Sequence, residues 1–125
     1  MKLLGEEHRS TIFEANNYAD TFISLERFEE AKSVLREMTP VARRVLGKWH
    51  QVTLKLRTNY ARALYKDPGA TLADLRESVE TLEDVERTAR RVLGGEHPLT
   101  AGIGDALRKS RTALRARETP PGPGA

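Results

Sequence analysis

Three copies of one phrase punctuate this chain: Leu4-Gly5-Glu6-Glu7-His8, Leu46-Gly47-Lys48-Trp49-His50 and Leu93-Gly94-Gly95-Glu96-His97, set 42 and 47 residues apart. Self-similarity at such a period marks a repeat architecture, in which each unit buries its apolar face against its neighbours only. The match extends backwards, Ala42-Arg43-Arg44-Val45 returning as Ala89-Arg90-Arg91-Val92, and forwards, where Thr11, Thr53 and Thr100 each follow the histidine by three residues. Asn17-Tyr18-Ala19 likewise returns as Asn59-Tyr60-Ala61. A length of 125 residues with 38% hydrophobic and 31% charged residues suits one soluble array of this kind.

Each unit reads as two helices. Ile12, Ala15, Ala19 and Phe22 carry a three-four spacing that predicts a first helix from about Ser10 to Leu25. Ala31, Leu35, Met38, Ala42 and Val45 predict a second from about Phe28 to Leu46, stopped by Gly47, with Arg43 and Arg44 suiting the negative end of the helix dipole. Pro40 inside it removes a hydrogen bond to Arg36 or kinks the helix. In the second unit the helices run from about Val52 to Lys66 and from Leu72 to Leu93. The five extra residues fall in the turn Asp67-Pro68-Gly69-Ala70-Thr71, whose threonine is placed to cap the next helix.

A last helix from about Pro98 to Arg117 opens with proline in the first turn, leaving His97 as the cap. Arg108 and Arg111 stand where the preceding unit has Ala61 and Leu64, as expected of a terminal helix with one wet side. Residues 1–118 thus form one repeat array of first pair 10–46, second pair 52–93 and terminal helix 98–117. Thr119 to Ala125, rich in proline and glycine, is expected to be a flexible tail. At the other end Leu3-Leu4-Gly5 matches the close of a second helix, so the chain is expected to begin in mid-repeat, with an uncovered face open to homodimerisation.

The phrase leucine-glycine-x-x-histidine followed by threonine, with Asn16-Asn17-Tyr18-Ala19 and Arg27-Phe28-Glu29-Glu30-Ala31, resembles the 42-residue tetratricopeptide repeats of kinesin light chains over residues 3 to 117. The resemblance implies an all-α fold, a right-handed α-solenoid of antiparallel helix pairs with about five helices here. It also implies a scaffold that binds a protein or peptide on its concave face. The pattern departs at Ala106, where the asparagine is missing, and at Arg9 and Gln51, where the proline seen at Pro98 is missing.

In such arrays the first helices line the concave surface. That geometry assigns Phe13, Asn16, Asp20 and Ile23 of the first unit, Lys55, Thr58, Arg62 and Tyr65 of the second, and Gly102, Asp105, Lys109 and Thr112 of the last helix to a peptide groove. Amide and charged side chains suit an extended peptide, whose backbone groups need partners. Ordinary exposed helix positions are the plainer reading of the same residues. Asn17 and Asn59 precede Tyr18 and Tyr60, read as core residues, so hydrogen bonding between helices competes with ligand contact as their role. Trp49 either staples its turn or is a contact residue.

Zero cysteines exclude disulfides, thiol catalysis and cysteine-liganded zinc, and suit the cytoplasm. No apolar run has signal-peptide or membrane-spanning length. His8, His50 and His97 recur one unit apart, roughly 20 Å for two stacked helices, too far to share one metal ion. No phosphate loop, nucleophile elbow or His-Glu-x-x-His helix is present, so neither an enzyme nor a cofactor is expected. The net charge of +3 is spread through mixed signs except near Arg108, Lys109, Arg111, Arg115 and Arg117. That cluster makes nucleic acid or an acidic surface the alternative partner, and an oligomerisation segment is the third reading.

Overall fold

The computed structural model describes residues 4–118, with side chains from residue 9 onward. Among the described residues it is all-α: α1 (Leu4–Ser24), α2 (Phe28–Val45), α3 (Gln51–Lys66), α4 (Leu72–Val92) and α5 (Pro98–Glu118), with no strand. The expected tail from Thr119 onward lies outside the described residues, as does the side chain of His8.

The glycine-histidine phrase folds identically at the α2–α3 and α4–α5 junctions. Gly47 and Gly94 take φ of +99° and +94°, and each N–H reaches back 3.2 Å to the carbonyl of Ala42 or Ala89. Three residues on, the Nδ1 of His50 accepts the Val52 N–H at 3.1 Å and that of His97 accepts the Leu99 N–H at 3.0 Å, so both histidines are helix caps. The first copy departs from expectation: Leu4 to His8 is helical and α1 starts there rather than near Ser10. Glu6 and Glu7 suit a first helical turn, where the second copy has Lys48-Trp49 and the third has one acid, Glu96.

The lengthened α3–α4 turn is clamped from two sides. Thr71 and Asp74 form a capping box, the Thr71 hydroxyl oxygen accepting the Asp74 N–H at 3.1 Å and the Asp74 carboxylate accepting the Thr71 N–H at 3.0 Å. Lys32 of α2 reaches the Asp67 carboxylate at 3.4 Å, and Arg117 of α5 donates to the Ala70 carbonyl at 2.6 Å. Pro40 sits inside an otherwise continuous α2.

Every helix packs on the next in sequence, and α1 on α3 and α3 on α5, whereas α2 and α4 do not meet. Helices α1 and α3 run the same way, since the links Asn16–Asn59 and Asp20–Arg62 advance together along both. Helix α5 runs antiparallel to α4, as Arg76–Glu118 and Glu83–Arg111 show. Helix α3 is buried on both sides: Val52 and Leu56 join Ile12, Leu35 and Ala42, while Leu54 and Ala61 join Leu82, Val85, Ile103 and Leu107. Fully burying one such leucine stabilises by about 1.5–3 kcal/mol.

Tyr18 corrects the sequence reading. Although its phrase matches that of Tyr60, Tyr18 is 61% exposed, because α2 packs against the Tyr60 side of α3 and no described helix covers the corresponding side of α1. Beside Tyr18 that outer face carries polar side chains: Ser10, Glu14 and Thr21, all exposed, stand 42 residues before the buried Val52, Leu56 and Ala63.

Candidate functional site

A groove of about 450 Å³ opens along α1, α3 and α5. Helix α1 supplies Asn16 and Asp20, α3 supplies Lys55, Thr58, Arg62 and Tyr65, and α5 supplies Gly102, Asp105 and Lys109. These positions come together because the three helices run side by side and each offers the stripe that its neighbours leave open.

Phe13, Ile23 and Thr112 are not among the residues lining this groove. Phe13 is 44% exposed elsewhere on α1, and Thr112 is exposed, its hydroxyl donating to the Arg108 carbonyl at 3.0 Å. Ile23 is only 4% exposed and packs with Phe28, Ala31 and Ala63. It contributes to the floor of a hollow of about 500 Å³ that continues the groove past Arg62, Tyr65 and Lys66 towards Glu26. Thr58 lines the groove but is buried, its hydroxyl donating to the Leu54 carbonyl at 2.8 Å.

Asn59 and Lys66 also line the groove and were not assigned to it from sequence. Lys66 lies four residues beyond Arg62 on the same helical stripe, a spacing that marks it. Asn59 is buried and donates to the Asn16 side-chain oxygen at 3.0 Å, so the asparagine that bonds between helices also faces the groove. Asn17, its counterpart in the repeat, is exposed.

The groove carries four cations against two carboxylates. Arg62 is held by the Asn59 side-chain oxygen at 2.9 Å and by Asp20 at 3.3 Å, and Lys109 by Asp105 at 3.0 Å. Lys55 and Lys66 have no ion pair among the described residues. Burial, with Arg62 and Lys109 nearby, holds the Lys66 ammonium below its ordinary pKa, and burial pushes the Tyr65 phenol above its own. The hydrogen bond and charge of Lys109, with Arg108, hold the Asp105 carboxyl below the usual carboxylate range. Unpaired ammonium groups beside fixed amides can neutralise and orient an anionic chain.

The basic cluster of α5 is largely satisfied within the chain. Arg108 and Lys109 pair with Asp105, Arg111 with Glu83, and Arg117 with the Ala70 carbonyl. Trp49 is 57% exposed, with the Lys48 ammonium 5.1 Å from its ring centre. Among the described residues no group of three metal-ligating side chains is assembled, and no helix is long and apolar enough to cross a membrane. Comparison with known protein families, with curated protein sequences and with solved structures gives no match.

Proposed function

We propose that the chain is a cytoplasmic protein-interaction module of tetratricopeptide type, a right-handed solenoid of antiparallel helix pairs whose concave face, lined by α1, α3 and α5, takes an extended peptide. The observation that carries this reading is the groove itself: one continuous stripe from three parallel-running repeat positions, with amides held ready by the Asn16–Asn59 bond. The resemblance of the repeat phrases to kinesin light chains supports the same assignment. The surplus of cations favours a peptide with acidic side chains, whose charges would replace water around Lys55 and Lys66. Binding, not catalysis, is what such an arrangement performs. Nucleic-acid binding through α5 is disfavoured by the internal bonds of Arg108, Arg111 and Arg117.

Fluorescence anisotropy against a library of acidic and neutral extended peptides tests the proposal. Binding that depends on peptide sequence and weakens about tenfold, or 1.4 kcal/mol, in Lys55→Ala or Arg62→Ala is expected. Indifference to both substitutions, or to peptide sequence, would refute it.

A further inference from the structure

Because α2 and α4 do not meet, a second opening of about 390 Å³ lies between them, floored by α3 and sharing no residue with the α1–α3–α5 groove. Three guanidinium groups wall it: Arg36 and Arg43 from α2 and Arg57 from α3. Only Arg57 is neutralised, by Asp84 at 2.8 Å. Arg36 has no ion pair among the described residues: it reaches the Tyr60 hydroxyl at 3.4 Å and lies 5.9 Å from the Tyr60 ring centre, with the charges of Glu29 and Glu77 acting on it from farther away. Arg43 has neither an ion pair nor a hydrogen bond from its side chain among the described residues. Glu77 of α4 is the single carboxylate lining the opening and leaves it with net positive charge.

The repeat supplies an internal control. Forty-seven residues on, Arg36, Thr39, Arg43 and Arg57 are replaced by Glu83, Glu86, Arg90 and Gly104. There Glu83 pairs with Arg111, and Glu86 with Arg90 at 3.8 Å. Packing of the second helix on its neighbours therefore does not demand a stripe of unneutralised cations.

We propose that this cleft is a second ligand site, for a small phosphorylated molecule. Arg36 and Arg43 would take the phosphoryl oxygens, and the organic part would rest on Pro40 and the Tyr60 ring. Arginine forks match phosphoryl oxygens, and a dianion with several acceptors uses more than one fork where a lone carboxylate is met by one. The volume falls at the low end of the range for small-molecule sites, about 300–1,000 Å³. The Arg57–Asp84 pair fixes the floor between Arg36, Arg43 and α4.

Titration of the full chain with pyrophosphate and with ADP, followed by NMR of backbone amides and arginine side chains, tests this. Saturable shifts confined to the α2, α3 and α4 residues of the cleft are expected. Arg36→Ala and Arg43→Ala should each weaken binding about tenfold, 1.4 kcal/mol, while Arg90→Ala leaves it unchanged. Both arginines are exposed, so neither substitution threatens the fold. ADP binding more tightly than pyrophosphate would assign the organic part to the Tyr60 and Pro40 surface, and equal affinity would assign recognition to the phosphoryl groups alone. Absence of saturable shifts at about 10 mM, well above a millimolar Kd, would overturn the proposal. So would shifts centred on Lys55, Lys66 and Lys109, or equal weakening by Arg90→Ala. Peptide binding in the groove stands or falls separately, since the two sites share no residue.

Discussion

Ser78 and Ser110 share a buried hydrogen bond, 2.8 Å between their hydroxyl oxygens, at the positions where the preceding unit sets Ala31 and Ala63 in one apolar cluster. The Ser78 hydroxyl is also 2.9 Å from the Ala61 carbonyl. One scaffold position thus has two solutions, one apolar and one fully paired. Ser78→Ala alone strands the Ser110 hydroxyl and should cost about 1–3 kcal/mol, whereas the double change Ser78→Ala with Ser110→Ala should cost less than the sum of the two single changes. Urea unfolding of the four proteins in the cycle measures this, and strict additivity would show that the hydroxyls do not act as a pair.

Thr53 and Thr100 occupy equivalent places and differ in satisfaction. The Thr53 hydroxyl donates to the Gly47 carbonyl at 2.7 Å, tying α3 to the end of α2. The buried Thr100 hydroxyl has no hydrogen-bond partner among the described residues. Thr→Val keeps the shape and removes the hydroxyl, so Thr53→Val should destabilise by about 1 kcal/mol and Thr100→Val should be neutral or stabilising. Thermal unfolding should show a lower midpoint for Thr53→Val and an unchanged or higher one for Thr100→Val.

Among the described residues Glu26 is the one non-glycine residue with left-handed backbone, φ +60°, in the α1–α2 turn. The conformation costs a residue with a side chain about 1–2 kcal/mol. Glycine removes that strain and returns about half of the gain as unfolded-chain entropy. Glu26→Gly should therefore raise stability by about 0.5–1 kcal/mol, read as a higher urea midpoint at unchanged slope.

Lys32 is 5% exposed and pairs with Glu29 at 2.7 Å and Asp67 at 3.4 Å. Burial alone would lower the pKa of its ammonium group, but Glu29 and Asp67 more than reverse this and leave it raised. Its contribution to stability is therefore fully present below the unfolded lysine value of about 10.4 and is lost as pH rises through the higher folded value. Unfolding followed from pH 8 to about 11.5 should show this alkaline decline in the parent chain and a shallower one in Lys32→Met. Identical slopes would place the titration elsewhere.

On the outer face of α1, Ser10, Glu14 and Thr21 stand beside the exposed Tyr18 where α3 buries Val52, Leu56 and Ala63, a face less apolar than the repeat boundaries suggested. Sedimentation at several concentrations should give a monomer. Glu14→Leu, which restores the residue type of Leu56, should shift the chain towards dimers.

Helix number, the two glycine-histidine junctions, the Thr71 cap and the nine groove-lining positions from Asn16 to Lys109 were legible in the sequence because each depends on local rules. Left-handed glycine, a side chain accepting a nearby N–H and a 3.6-residue period act over a few residues and repeat with the phrase. Other features depend on which helix lies opposite, and no local pattern carries that. Tyr18 and Tyr60 share a phrase, yet α2 half-buries one and nothing described covers the other. Ile23 keeps the groove period but meets Phe28 and Ala63, so burial takes it into the core. Arg111 reads as free charge until Glu83 of α4 is found 3.0 Å away, while Arg43 of α2 has no ion pair among the described residues. Charge neutralisation and burial are properties of the neighbours across space, and these the tertiary structure alone decided.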